Sequence, residues 1–306
     1  MAYPVVDGRP SMSGGYIPTI WSGKLIEKFY PASTIAAIAN TDYEGEISAH
    51  GDKVIIRTVP DIEVRDYKAG QDLVYDNPQG GKVELLIDKG AYFGFHIDDV
   101  ESRQSDLNYM NNWSEDASEQ MKSKVDKRVF ADIYADADAH NAGATAGKDS
   151  QDINLGTAAA PLVVTKDSIV DLLVDMGTVL DEQNVPESNR YVVLPPRYTA
   201  LIKKSELKDA SLTGDGTSML RNGRIGMVDR FTIYQSNLMS RFTVQKKKAV
   251  NVVFGHKSAL TFATQITKNE TLRNPNQFGD LVRGLQVYGF KLIKKDAFGH
   301  AALTLG

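Results

Sequence analysis

Apolar and polar positions between residues 51 and 140 follow first a two-residue rhythm and then a helical one. GDKVIIRTVPDIEVRDY (51–67) and GGKVELLIDKGAYFGFHI (80–97) are rich in β-type residues and are joined by the turn-prone KAGQDLVYDNPQ (68–79). Alternation points Val54, Ile56 and Thr58 one way and Ile55, Arg57 and Val59 the other, so both faces of this ribbon are partly apolar. Pro60 cannot donate a ladder hydrogen bond, which places its strand at an edge or a bulge. A two-stranded ribbon is marginally stable alone in water, so this one needs cover from elsewhere.

From about Asp98 to about Ala139 there is neither Pro nor Gly. Leu107, Met110, Trp113, Ala117, Met121, Val125, Val129, Ile133 and Ala137 recur every three or four residues, with Phe130 and Tyr134 beside them. This predicts one amphipathic helix of about forty residues, about 60 Å long. The opposite side, with Glu115, Glu119, Lys122, Lys127, Arg128 and Asp132, reads as a solvated face of mixed sign.

Upstream, residues 1–22 hold Pro4, Pro10, Pro18, Gly8, Gly14 and Gly15 and read as an irregular arm, followed by an apolar face from Trp21, Leu25, Ile26, Phe29 and Tyr30. Residues 31–50 hold a short helix or strand. Downstream, DADAHNAGATAGKDSQDINLGTAAAP reads as a surface excursion. Ile169, Leu172, Leu173, Met176 and Leu180 predict a helix that ends before Pro186. Tyr191–Leu194 is a buried-type strand, Arg197–Lys204 a short helix and 205–226 a Gly-rich connection, after which most segments read as strands. The class is α+β, mainly antiparallel toward the C-terminus.

Composition narrows the function. With 306 residues, 42% of them hydrophobic and 24% charged, the chain can bury a substantial core. A net charge of −4 argues against a general nucleic-acid binder and leaves only local contact, for which Lys246, Lys247 and Lys248 are a candidate. Cysteine is absent, which removes disulfides, thiolate catalysis and cysteine-held metals. No signal peptide or membrane-spanning run is recognisable, so a cytoplasmic protein is expected.

Candidate chemistry is thin. The five histidines, at 50, 96, 140, 256 and 300, include no helical metal pair, and His96, Asp98 and Asp99 read as a strand end followed by helix N-terminal acids. Gly214, Gly216, Gly223 and Gly226, with Arg221 and Arg224, suggest a phosphate loop, but neither a Gly-Lys-Ser/Thr ending nor G-x-G-x-x-G after a strand is present. Ser11 and Ser13 do not form a nucleophile elbow. The expectation is no catalytic residue, no cofactor and no metal.

In order along nearly the whole chain stand KLIEKFY (24–30), DYEGEI (42–47), GDKVIIRTVPDIEVRDYKAG (51–70), IDDVESRQS (97–105), YVVLPP (191–196), LRNGRIG (220–226), FTIYQSN (231–237), GHKSALTFATQI (255–266) and FGDLVRGLQVYGFKLI (278–293). This ordered set resembles the major capsid (coat) proteins of tailed bacteriophages, with the Hong Kong 97 type of fold. The resemblance implies an N-terminal arm (1–45), an extended β-hairpin loop (46–96), a peripheral domain with a long spine helix (97–160), an axial domain (161–280) and C-terminal strands returning to the core (281–306).

It further implies a structural protein of the virion capsid that assembles in the host cytoplasm as hexamers and pentamers of an icosahedral head around double-stranded DNA. Expected partners are copies of itself, a separate scaffolding protein, a portal and non-specifically touched packaged DNA, with no membrane. Candidate intersubunit contacts are Arg57, Glu63, Arg65, Asp66, Lys68, Trp21 and Phe29. Lys68 has no motif-identified partner for a covalent cross-link, so no cross-link is assigned. The alternatives are an encapsulin-like cellular nanocompartment shell, with the same architecture, and a nucleotide-binding enzyme using residues 214–226.

Overall fold

The computed structural model describes residues 33–42, 53–57, 59–60, 62–70, 72, 75–77, 80–99, 109–205 and 227–306. Trp21, Phe29 and the Gly-rich segment 214–226 lie outside these residues. The described elements run α1 (Ile35–Ile38), β1 (Lys53–Arg57), β2 (Lys82–Leu86), β3 (Lys89–Asp98), α2 (Tyr109–Asp132), β4 (Leu162–Val164), α3 (Ile169–Glu182), β5 (Arg190–Leu194) and α4 (Pro196–Lys204). There follow β6 (Met227–Val228), β7 (Phe231–Gln235), β8 (Arg241–Val244), β9 (Lys247–His256), β10 (Leu260–Arg273), β11 (Gly279–Leu292) and β12 (Phe298–Leu305).

Three sheets organise these strands. A seven-stranded sheet runs β4-β12-β9-β5-β7-β6, with β8 also paired to β9. Its β4–β12 and β5–β7 pairs are parallel and the others antiparallel. β5 is buried at every position, which a strand covered on both faces requires, and this explains the unbroken apolar run after Arg190. At the β8–β9 turn Gln245 and Lys246 both take positive φ, 48° and 67°, the geometry of a two-residue hairpin turn. Of the three lysines here, Lys246 is thus in the turn and Lys247 and Lys248 begin β9.

The second sheet is β10-β11-β3, all antiparallel, and the third is the ribbon β1-β2. The β-rich stretch 80–97 therefore divides: β2 ends at Leu86 and β3 starts at Lys89, entering a different sheet. Gly289 marks the crossing, since a Cβ there would lie 2.1 Å from the Leu86 carbonyl oxygen. β11 runs continuously across residue 280, and its residues 279–288 pair with β3.

α2 ends earlier than its sequence pattern predicts. The helix gives way at Asp132 to 3-10 turns at Ile133–Asp136 and Ala139–Asn141, and its 24 described residues span about 36 Å. The apolar stripe is real: Met121, Val125, Val129, Phe130 and Ile133 are buried, while Trp113 toward the start stays partly exposed beside Phe95. They join one core with α1, α3, β5, β9 and β12.

Residues 136–161 are a surface excursion only in part. Ala146 and Leu155 are fully buried, as is Asn141, whose side-chain amide donates to the carbonyls of Asp296 (2.6 Å) and Phe298 (3.1 Å). Small residues here permit close packing of irregular backbone whose polar groups find partners, for example Ala302 N–H to Leu155 O.

Candidate subunit-contact site

The ribbon β1-β2 pairs Val54 with Leu85 and Ile56 with Val83. Its inward side chains, Ile56 and Leu85, join Ile87 and Ala263 in a small core of their own, against which Val54, Val287 and Ile293 pack. The expected two-sidedness is resolved at this root: Ile56 is covered and Ile55 is about half exposed. The root thus anchors the ribbon on the three-stranded sheet.

Beyond the root, cover ends. Val59 is 89%, Val64 94% and Tyr75 86% exposed, and Ile62 and Tyr67 are largely exposed too. Burying five such side chains is worth on the order of 10 kcal/mol gross. Monomeric surfaces scatter apolar side chains singly, whereas here they follow one another along one projecting segment.

The charged candidates lie on the same segment. Arg57, Glu63, Arg65, Asp66 and Lys68 are all exposed. Arg65 donates to Glu63 (2.8 Å) and, across the loop, to Asp76 (2.9 Å), tying the outgoing limb to the returning one. Arg65 and Glu63 are thus brought together within the chain, while Arg57, Asp66 and Lys68 line the solvent side. At the ends of β3, β10 and β11, Asp99 pairs with Arg273, which also donates to Asp280 (3.3 Å); Asp98 ends the strand and Asp99, directly after it, is helical, in line with a strand end followed by acids of a helix N-terminus.

A second feature sits at the start of α1. Asp126 of α2 is 3% exposed and accepts from the backbone N–H of Thr34 (2.9 Å) and from Ser33 Oγ (3.1 Å), with Ile35 N–H also contributing. A carboxylate from one helix thus caps the N-terminus of another, α1. Burial pushes the Asp126 carboxyl above the ordinary aspartate value, and the donated hydrogen bonds act the other way. Just past α1, Asn40 bridges to β10, donating to Leu260 O and accepting from Phe262 N–H. An aspartate inside a charge-rich helix looks solvated in sequence, so the pattern gave no sign of this role.

Among the described residues no cluster of three or more His, Asp or Glu could hold a metal, and no helix is long and apolar enough to cross a membrane. His96 and Asp98 both lie on β3.

Beyond its packed root the loop thus presents apolar and charged side chains together to solvent. The phage capsid protein family matches residues 82–300, and the chain belongs to that family. Among solved structures it is similar to a chain of Mycobacterium phage Che8, 26% identical, with a TM-score of 0.75 over 95% of this chain and 97% of that one. It also shares the fold of the capsid of cyanophage P-SCSP1u (15% identical, TM-score 0.72, 95% and 93% covered) and of the mature capsid of bacteriophage PhiM1 (15%, 0.66, 98% and 97%). No curated protein matches it. The fold is the Hong Kong 97 type, and the protein is a structural major capsid protein of a tailed-phage head.

Proposed function

We propose that the extended loop works as the clasp of the shell, its apolar tip and the charges of Arg57, Glu63, Arg65, Asp66 and Lys68 covered by neighbouring copies in hexamers and pentamers. The single observation in support is the run of exposed apolar side chains from Val59 to Tyr75. Residues 1–45 act as an arm, with Trp21 and Phe29 docking on a neighbour, 46–96 as the loop, 97–160 as the peripheral domain and 161–280 as the axial domain. The strands 281–306 return to the body. The protein works without catalysis, assembles in the host cytoplasm with a separate scaffolding protein and a portal, and touches packaged DNA non-specifically.

The test is assembly itself. Wild-type protein, co-expressed with its scaffold, should sediment as shells and show them by electron microscopy, whereas Arg57→Ala and Asp66→Ala should remain folded and assemble poorly. Charges on an exposed loop matter chiefly when a partner desolvates them. Wild-type shells with unimpaired assembly of both variants would discard the clasp.

A further inference from the structure

Away from the loop, a cavity of about 320 Å³ opens between α4 and the ends of β4 and β12. Arg197, Ala200, Leu201 and Lys204, spaced three, four and seven residues apart, share one helix face and form its first wall. Val164, Leu305 and Gly306 form the second, where Gly306 N–H donates to Val164 O at 3.1 Å. The lining is thus apolar at the centre and cationic at both ends of the helix face.

The two charges differ in how they suit the helix. Lys204 in the last turn of α4 suits the helix dipole, but Arg197 lies in the first turn, where a cation is disfavoured and no acidic residue compensates. Among the described residues no carboxylate pairs with Arg197 or Lys204. Lys166 at the rim shares its charge with Asp167 at 3.6 Å. Seven residues of helix separate Arg197 from Lys204 by about 10 Å, the reach of about three residues of extended chain.

We infer that this cavity is a docking site for an acidic peptide segment of another protein, one that inserts an apolar side chain between two carboxylates. Charge complementarity selects it: the carboxylates meet Arg197 and Lys204, and the apolar side chain rests on Ala200, Leu201 and Leu305. Nucleic acid would use the cations and leave the apolar floor uncovered. The site is distinct from the extended loop and stands whether or not the loop acts as the clasp.

The test uses full-length protein and three fluorescein-labelled peptides: one with paired leucines between aspartates, one with serines for the leucines, and one with lysines for the aspartates. Anisotropy should show binding of the first, with at least tenfold weaker binding of the other two. The double variant Arg197→Glu, Lys204→Glu should lose at least tenfold affinity for the first peptide and melt like wild type, both side chains being exposed. Equal binding of all three peptides, or binding that survives the double variant, overturns the proposal. So does a short DNA duplex that outcompetes the peptide, or a folded double variant that can no longer form shells, which would make the occupant a second copy of this chain.

Discussion

Two stretches rich in β-branched residues meet opposite fates. In β5, Tyr191, Val192, Val193 and Leu194 are all within 2% of complete burial, flanked by β7 and β9. In the extended loop, Val59, Ile62 and Val64 are exposed by 67% or more, and between Arg57 and Lys82 no strand pairing is present among the described residues. The residue types are alike and the surroundings are not. The body covers its own hydrophobic surface, while these loop side chains are left exposed by the rest of the chain.

If the body is self-sufficient, its buried polar anchors should be the most damaging to remove. Arg190 is 1% exposed and donates to the carbonyls of Pro186 (2.9 Å) and Gly177 (3.3 Å) and to the carboxylate of Asp181 (2.7 Å). Arg190→Ala should cost about 2–4 kcal/mol, seen as a large fall in the denaturation midpoint, because it leaves the carbonyls of Pro186 and Gly177 without their donor, while Asp181 keeps Arg230. A loss below about 1 kcal/mol would show that β5 does not depend on this anchor.

Acid should find the same region next. His300, its Nε2 3.0 Å from Asn251 Oδ1, is held by burial down to about 4, and His256 is shifted down as well. A depressed histidine contributes stability that is complete above about pH 6.5 and lost as pH falls toward 4, up to about 3 kcal/mol for His300. Asp126 has the opposite sign, since its raised value favours the folded state more as pH falls. Thermal melts between pH 7 and 4 should therefore show a decline that His300→Gln flattens; an unchanged slope in that variant would remove His300 as the cause.

Smaller again is the joint between α2 and the start of α1. Asp126→Ala should cost about 2 kcal/mol by leaving the Thr34 and Ile35 N–H groups without an acceptor, and Asp126→Asn should cost less because its carbonyl can still accept. Equal losses for the two would point to charge and not to capping. Smallest for the isolated subunit is the loop: Ile62→Asp or Val64→Asp should change unfolding free energy by less than about 0.5 kcal/mol while abolishing shells in sedimentation. If either variant unfolds the subunit, the contrast between loop and body fails.

Much of the architecture was legible before any coordinates. Val125, Val129 and Ile133 repeat at the helical period because α2 packs one side on the body, and the run after Arg190 is apolar because β5 is covered on both faces. Ile169 to Leu180 and Arg197 to Lys204 are helices, as their spacing and the bounding prolines indicate. The full length of α2 was not legible, because periodicity persists through Ile133 and Ala137 although the backbone there tightens into 3-10 turns. Nor was the break at Ile87–Asp88 between β2 and β3, since the β-type pattern runs across it.

The sequence by itself determined which segments could form helices and strands, that the chain lacks thiol chemistry, and that the loop bears more apolar and charged surface than a ribbon can hide. Those properties are local, set by side-chain period, turn chemistry and composition. Tertiary structure alone decided that Arg190 and Asp126 are buried, that Ala146 and Leu155 lie in the core, and that Arg197 and Lys204 face a cavity closed by β4 and β12. The reason is physical: burial and partnership depend on segments far apart along the chain, with Asp126 meeting Ser33 and Asn141 meeting Phe298.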